Sequence, residues 1–178
     1  MILLISTCRE TLHNLEFVKP IENILDENKI KYFTKHYSKI SKIDLKKADK
    51  IIICGTALKD FQLMNNLNKF YWIKNFEKPI LGICAGMQII SLMFGSKFKK
   101  KTEIGFYEEN FTKEFLSLKG ENKVYLLHNY YVILPKEFEE FTKSKIPKAI
   151  KHKSREIYGV LFHPEVRNKH LIKEFYKI

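Results

Sequence analysis

The chain has 178 residues, 45% of them hydrophobic, and no apolar run approaches the length of a membrane-spanning helix. We therefore expect one globular domain over residues 1–178, outside the membrane. The net charge is +12, but the lysines are scattered and no zinc-finger, aromatic or recognition-helix motif accompanies them, which argues against a nucleic-acid-binding protein. Three cysteines and an N-terminus without a basic, cleavable leader predict a cytoplasmic protein.

Short apolar runs alternate with amphipathic segments along the chain. Val18, Ile21 and Leu25 recur at helical spacing. Pro20 suits the first turn of a helix, which we expect to continue to about Asn28. Further helices are expected over residues 60–76, 86–94 and 168–176, and strands over residues 2–6, 31–34, 50–55, 79–83, 124–127, 132–134, 149–151 and 158–162.

This alternation of strands and helices predicts an α/β fold, in which a mostly parallel sheet lies between helices on both of its faces. In such sheets, ligands bind at the carboxyl ends of the strands. Cys84 and His163 each follow a predicted strand. We therefore expect both residues at this edge of the sheet.

The stretch around Cys84 has the layout of a nucleophile elbow. A short apolar strand that begins with Pro79 leads to Cys84, and Gly82 and Gly86 stand two residues away on either side. The glycines let the chain turn sharply, and the free N–H groups of the following helix favour the thiolate form of the cysteine. Taken alone, the pattern also fits a small residue at a tight turn between a strand and a helix.

A second motif lies near the C-terminus, where an apolar strand ends in His163, Pro164 and Glu165. A cysteine nucleophile needs a proton partner, and a histidine in that role needs a carboxylate that fixes its tautomer. Histidine and glutamate two residues apart on an extended segment can form such a relay. The histidine must then turn toward the cysteine, with the glutamate behind it.

Together the two motifs resemble those of the class I glutamine amidotransferases, whose glutaminase domains carry a Cys-His-Glu triad. The matching segments are Gly-Ile-Cys-Ala-Gly-Met-Gln at residues 82–88 and Tyr-Gly-Val-Leu-Phe-His-Pro-Glu at residues 158–165. They occur in the order and at the separation that the family uses, and the resemblance covers most of the chain. It implies a flavodoxin-like, three-layer α/β fold in which Cys84, His163 and Glu165 are the catalytic residues.

The resemblance also implies an oxyanion hole built from backbone N–H groups. One donor is Thr56, which with Gly55 follows the third predicted strand, and the second is Ala85, directly after the nucleophile. Relatives usually have a second glycine where Thr56 stands, and a threonine makes a positive φ costly. We therefore expect Thr56 to disturb the alignment of this donor.

Further residues are implied as contacts of the substrate. Gln88, on the elbow helix, matches a position that contacts glutamine in the family, and the expected set also contains Gly86, His128, Asn129 and Tyr130. Without the family, Gln88 fits an exposed polar residue on a helix equally well, and His128 fits a structural residue at a strand end.

The branch of the family is mixed in this chain. Segment 125–131 is similar to an element of the imidazole-glycerol-phosphate synthase glutaminase, whereas segments 150–153 and 157–160 are similar to the GMP synthase and anthranilate synthase branches. The first loop, residues 6–11, differs from the start of these relatives. The motifs therefore leave the acceptor of the ammonia open.

The resemblance implies a glutaminase that hydrolyses L-glutamine to glutamate and ammonia through a thioester on Cys84, without a metal or another cofactor. The chain shows no P-loop and is too short for an added synthase domain, so we expect a separate synthase, which could be of the GMP synthase type. Two alternatives stay open: a stand-alone γ-glutamyl amide hydrolase of the same fold, and a catalytically weak regulatory or binding module. Thr56 and the altered first loop favour the last of these.

Overall fold

The computed structural model describes the backbone of residues 1–178 and the side chains of residues 1–60 and 65–178. It contains a seven-stranded sheet and a separate hairpin of two long strands. The strands are β1 (Ile2–Ser6), β2 (Tyr32–His36), β3 (Lys50–Ile53), β4 (Ile80–Ile83), β5 (Phe98–Phe115), β6 (Leu118–Val132), β7 (Phe138–Glu140), β8 (Ala149–His152) and β9 (Ile157–Val160). The α-helices are α1 (Asn14–Phe17), α2 (Lys19–Glu27), α3 (Lys42–Lys47), α4 (Ala85–Met93) and α5 (His170–Lys177), and 3₁₀ helices lie at Thr11–His13, Tyr37–Lys39 and Phe61–Asn75.

The strands of the large sheet lie in the order β2-β1-β3-β4-β9-β8-β7. Neighbours from β2 to β9 are parallel, and β8 and β7 extend the sheet in antiparallel fashion at one edge. Ile53 pairs with Gly82, and Ile83 pairs with Val160, so the carboxyl ends of β3, β4 and β9 lie side by side. The expected α/β fold with a mostly parallel sheet is confirmed.

The two faces of the sheet are covered by different helices. In β1, Ile2 and Leu4 pack into one apolar cluster with residues of α2 and α5. Leu3 and Ile5 pack into a second cluster with residues of α4 and the long 3₁₀ helix. Because successive side chains of a strand point to opposite faces, this alternation places helices on both faces of the sheet, as the sequence predicts.

The hairpin is where sequence and structure differ most. The prediction of two short strands over residues 124–127 and 132–134 is wrong, because residues 118–132 form the single strand β6, paired antiparallel with β5. The sequence predicts neither β5 nor the short edge strand β7. Most residues of β5 are exposed, and many are lysine or glutamate. It therefore lacks the apolar run by which a buried strand is recognised.

The helices that the sequence predicts lie close to their expected positions, whereas α1 and α3 are not predicted. The helix expected over residues 168–176 is α5, which begins and ends within two residues of the prediction. The region expected to be helical over residues 60–76 is a 3₁₀ helix with non-helical angles at Asn66. The side chains of residues 61–64 lie outside the described part of this helix.

Helix α4 approaches β3 through Gly86. A Cβ at this position would lie 2.2 Å from the carbonyl oxygen of Ile53, and backbone cannot move aside cheaply. We expect Gly86→Ala to lower the free energy of unfolding by about 3 kcal/mol or more, as overpacking against backbone does. Urea denaturation followed by circular dichroism measures this change.

Ser91, on the same helix, provides the matched control. Its hydroxyl is buried and has no hydrogen-bond partner among the described residues. Ser91→Ala removes this unsatisfied group and improves helix propensity, so the free energy of unfolding should rise by about 1 kcal/mol. Equal destabilisation by the two variants would contradict the packing of α4 described above.

Candidate active site

Cys84 stands between β4 and α4 in a strained backbone conformation, with a φ of 49° and a ψ of −102°. Its N–H donates to the carbonyl of Val160 at 2.7 Å, which ties the turn to β9. The sequence pattern assigns the sharp turn to Gly82 and Gly86, but the left-handed φ belongs to the cysteine itself. The glycines instead permit close packing, because a Cβ on Gly82 would lie 2.5 Å from the backbone of Gly86. A strained turn of this kind presents the nucleophile in many hydrolases.

His163 and Glu165 follow β9 and form a buried pair. His163 Nδ1 and Glu165 Oε1 are 2.7 Å apart, and both side chains are almost completely buried. The backbone N–H of His163 donates to the carbonyl of Tyr125 at 2.8 Å, so strand β6 helps to fix the histidine. Burial alone would lower the pKa of His163, but the charge of Glu165, followed by that of Cys84, raises it well above its ordinary value. The imidazole is therefore held in its protonated form.

Cys84 and His163 meet against one glycine, Gly55, just after β3. A Cβ on Gly55 would lie 2.7 Å from His163 Cε1 and 3.5 Å from Cys84 Cβ. His163 Nε2, on the side of the ring away from Glu165, is buried and has no hydrogen-bond partner among the described residues. The structure thus gathers Cys84, His163 and Glu165 into one cluster, the arrangement that a nucleophile and its base require.

A cleft of about 390 Å³, including its open mouth, lies beside Cys84. Cys84 Sγ lies 3.5 Å from the carbonyl oxygen of Leu127, across this cleft. The residues expected from sequence that line it are Thr56, Cys84, Ala85, Gln88, His128, Asn129 and Tyr130, and the others are Ala57, Leu58, Asp60 and Leu127. Four of the expected residues are absent from this lining: Gly55, Gly86, His163 and Glu165.

Gln88 is buried rather than exposed, which excludes the interpretation of this residue as a solvated helix position. Its Nε2 donates to the carbonyl of Tyr130 at 2.7 Å. This bond joins α4 to the opposite wall of the cleft. Gln88 therefore helps to shape the cleft.

Thr56 has a φ outside the left-handed region, so the backbone strain expected from a threonine at this position does not arise. Its Oγ1 donates to Asp60 Oδ2 at 2.6 Å. Asp60 Oδ2 also accepts the backbone N–H of Arg9 at 3.0 Å and lies 3.2 Å from His13 Nδ1. Asp60 is not among the residues expected from the sequence. It joins the first loop, residues 6–11, to the loop that contains Thr56, and both loops differ from the family pattern. This common difference was the only sequence signal for a contact between the two loops.

His128 belongs to a buried ionic cluster that the sequence does not predict either. Its Nε2 lies 3.1 Å from Glu103 Oε2. The ammonium of Lys148 donates to the same oxygen, and Lys101 Nζ lies 3.2 Å from Glu103 Oε1. Burial, together with the positive charge of Lys148, lowers the pKa of His128 to about 4. His128 is therefore a neutral group in the cleft wall at physiological pH.

The free energy of unfolding should fall as the pH drops through the window between the two pKa values of His128. The folded pKa is about 4, whereas a histidine in the unfolded chain titrates near ~6.5. Between these values the unfolded state binds more protons, so stability decreases by up to roughly 3 kcal/mol toward the acid end. Urea denaturation at each pH measures how the free energy of unfolding depends on pH. If His128→Gln leaves this pH dependence unchanged, His128 is not its cause.

Comparison with known proteins places the site in a family. The family model "Glutamine amidotransferase class-I" matches residues 14–177 of the chain. The chain belongs to the class I glutamine amidotransferases. The matched segment contains Cys84, His163 and Glu165, together with the whole lining of the cleft.

Curated relatives of this amidotransferase chain are named as GMP synthases. One subunit of the glutamine-hydrolysing GMP synthase of Methanosphaera stadtmanae is 41% identical over 105 residues, which are 54% of this chain and 56% of that protein. The glutamine-hydrolysing GMP synthase of Staphylococcus saprophyticus is 39% identical over 103 residues, which are 54% of this chain and 20% of that protein. The match therefore spans between a fifth and somewhat more than half of these relatives' length.

Solved structures share the fold over nearly the whole amidotransferase chain. A candidate GMP synthase subunit from Thermoplasma acidophilum has a TM-score of 0.85 and 25% identity, over 99% of this chain and 93% of that chain. A glutamine amidotransferase from Thermotoga maritima has a TM-score of 0.74 and 17% identity, over 99% of this chain and 83% of that chain. The second likeness concerns the fold alone.

The three cysteines, Cys8, Cys54 and Cys84, are free thiols. Within the part of the chain whose side chains are described, no group of three or more His, Cys, Asp or Glu residues is arranged to hold a metal ion. None of the described helices is both long enough and apolar enough to cross a membrane.

Proposed function

We propose that this amidotransferase hydrolyses the side-chain amide of L-glutamine through a thioester on Cys84, and that residues 1–178 act as one glutaminase domain. The observation that carries the proposal is the 2.7 Å pair of His163 and Glu165 beside a cysteine in a strained elbow. Cys84 supplies the nucleophile, His163 the proton, and Glu165 the charge that keeps His163 protonated. The names of the glutamine-hydrolysing relatives support glutamine as the substrate.

The first half of the reaction forms the thioester. The thiolate of Cys84 attacks the carboxamide carbon of glutamine, and the oxyanion is held by the backbone N–H groups of Thr56 and Ala85. Each such donor can lower the barrier by about 3 kcal/mol. His163 then transfers the proton of Nε2 to the amide nitrogen, the C–N bond breaks, and ammonia leaves.

The second half of the reaction releases glutamate. Neutral His163 takes a proton from water, and the hydroxide that forms attacks the thioester carbon. The C–S bond breaks, which restores the Cys84 thiolate beside protonated His163. Glu165 stays ionised throughout, because it orients the ring and stabilises its charge without exchanging a proton. The proposed substrate contacts are the expected residues that line the cleft: Gln88, His128, Asn129 and Tyr130. Gly86, also expected for that role, packs against β3 instead.

The ammonia passes to a separate synthase of the GMP synthase type. A relative named as one subunit of such an enzyme supports this partner. Large apolar side chains are exposed beside the elements that carry the site: Leu12 and Leu15 follow the first loop, and Val166 follows Glu165 directly. Their exposure favours a docking partner over a stand-alone hydrolase. The free thiols support a reducing compartment, the cytoplasm, as the location.

Release of glutamate from L-glutamine tests the proposal, measured for the chain alone and with the synthase subunit of a GMP synthase. Glutamate is the product to follow because the synthase consumes the ammonia. We expect low turnover by the chain alone and a large increase with the synthase subunit, because docking should align the oxyanion donors in the loop that follows β3. Equal turnover in both assays would indicate a stand-alone hydrolase. No turnover in either assay would indicate a regulatory module.

A further inference from the structure

Asp60 is a buried carboxylate that the reaction described above does not use. Among the described residues that line the cleft, it is the only acidic one. Its one ionic neighbour in the described part of the chain is His13, at 3.2 Å, and no lysine or arginine there pairs with it. A carboxylate buried without a permanent cation is costly. Such a group is well suited to a ligand that brings its own positive charge.

The two oxygens of Asp60 have different surroundings. Oδ2 accepts hydrogen bonds from the hydroxyl of Thr56 and the N–H of Arg9 and lies beside His13. These contacts outweigh burial and hold the pKa of the Asp60 carboxyl below its ordinary value. Oδ1 makes no hydrogen bond with the described residues. Asp60 occupies the N-cap position of the long 3₁₀ helix, but its side chain makes no capping bond. Helix capping therefore does not explain why a carboxylate stands at this position.

We propose that Asp60 binds the α-ammonium group of L-glutamine through Oδ1. This inference rests on the proposed function and deepens it, because it names the residue that selects an α-amino acid over a simple amide. Glutamine has its carboxamide at one end and its ammonium group at the other. With the carboxamide at Cys84, the ammonium group needs an acidic acceptor elsewhere in the cleft. Asp60 is the one carboxylate among the described residues that line the cleft, and we therefore assign this role to it.

The same carboxylate connects substrate recognition to the oxyanion loop. Oδ2 holds the side chain of Thr56, and the backbone N–H of Asp60 donates to the carbonyl of Ala57 at 2.9 Å. One short turn therefore fixes both the proposed oxyanion donor and the proposed ammonium acceptor. Loss of the positioning role would weaken every ligand of the cleft. Loss of the charge would weaken only a ligand that carries an ammonium group.

Calorimetric binding of two ligands to the Cys84→Ala protein separates these effects. The ligands are L-glutamine and glutaramate, which keeps the carboxamide, the carbon chain and the carboxylate but lacks the α-amino group. Asp60→Asn, made in the same background, keeps the size of the side chain and an oxygen for Thr56. We expect it to weaken binding of L-glutamine by about 10- to 100-fold and that of glutaramate by less than about threefold, the difference due to one charge-assisted hydrogen bond.

Glu10→Gln is the matched control. Glu10 is an exposed acid in the same loop as Arg9 and does not line the cleft, so its loss should leave both affinities unchanged. Melting curves establish that each variant is folded. Asp60→Glu keeps the charge, so it should show part of the preference for L-glutamine over glutaramate that Asp60→Asn loses.

Two results with Asp60→Asn would overturn the ammonium site: equal weakening of binding for both ligands, or no weakening for either. Turnover of L-glutamine by the unaltered protein is measured in parallel, so the proposed function would survive such a result. Absence of L-glutamine binding by the Cys84→Ala protein with Asp60 intact would also overturn the ammonium site, whereas the parallel turnover assay decides the proposed function separately.

Discussion

Cys84→Ala should abolish glutamine hydrolysis, with kcat reduced on the order of 10⁴-fold or more, while the protein stays folded. Without the sulfur no thioester can form, and His163 and Glu165 have no nucleophile to assist. The melting temperature should be unchanged, because alanine keeps the φ of 49° at about the steric cost that cysteine has. Release of glutamate in the presence of the synthase measures the loss of activity, and thermal melting curves measure the stability.

Two further cysteine variants serve as controls for this result. Cys54 is also buried and follows the neighbouring strand β3, but burial raises the pKa of its thiol well above the ordinary value. Cys54→Ala should therefore change activity by less than about threefold. Cys84→Gly should be inactive yet more stable by about 1 kcal/mol, because glycine adopts a positive φ without strain. Residual activity in Cys84→Ala, or its loss in Cys54→Ala, would contradict the proposed nucleophile.

His163→Ala should be nearly as damaging as loss of the nucleophile, because the proton for the leaving ammonia and the partner of the thiolate disappear together. Glu165→Gln should do less harm, with a loss of roughly 100-fold, since Glu165 orients the ring and reacts with nothing. Steady-state kinetics of the two variants beside the unaltered protein measure this order. A larger loss in Glu165→Gln than in His163→Ala would contradict the assignment of roles.

The pH dependence of the Glu165 variant tests the same pair independently. Glu165 is the main group that raises the pKa of His163, against the effect of burial. The protonated imidazole therefore persists to higher pH, and the acid needed for release of ammonia persists with it. In Glu165→Gln the pKa of His163 falls, so the alkaline decline of kcat should begin at lower pH. If kcat of Glu165→Gln declines at the same alkaline pH as kcat of the unaltered protein, Glu165 does not act on His163.

The cluster of Cys84, His163 and Glu165 could be predicted because local patterns define each part of it. Both motifs end apolar strands, and strands of this type pair in parallel with their carboxyl ends at one edge. The sequence predicts both motifs at this edge but not the strand order, and the observed position of β4 beside β9 brings them together. The positions of Thr56 and Gln88 were expected from the family resemblance rather than from strand pairing, and both residues line the cleft.

The polar contacts behind this cluster could not be predicted, because they join residues far apart in the chain. Asp60 bonds to Arg9 across 51 positions, and Lys148 pairs with Glu103 across 45. No periodicity marks such pairs, and each residue alone fits a solvated surface. The positive φ of Cys84 was not predicted either, because the sequence pattern assigns the sharp turn to Gly82 and Gly86, whereas these glycines permit close packing.

Covalent labelling with a chloroketone analogue of L-glutamine tests the central claim most directly. The analogue should modify Cys84 stoichiometrically, and an excess of L-glutamine should slow the modification. Cys8 and Cys54 should stay unmodified, because burial raises the pKa of both thiols. Peptide mapping by mass spectrometry, both without and with the synthase, locates the label. Label on Cys84 alone is the predicted result, whereas label on Cys8 or Cys54 in its place would contradict a glutaminase built on Cys84.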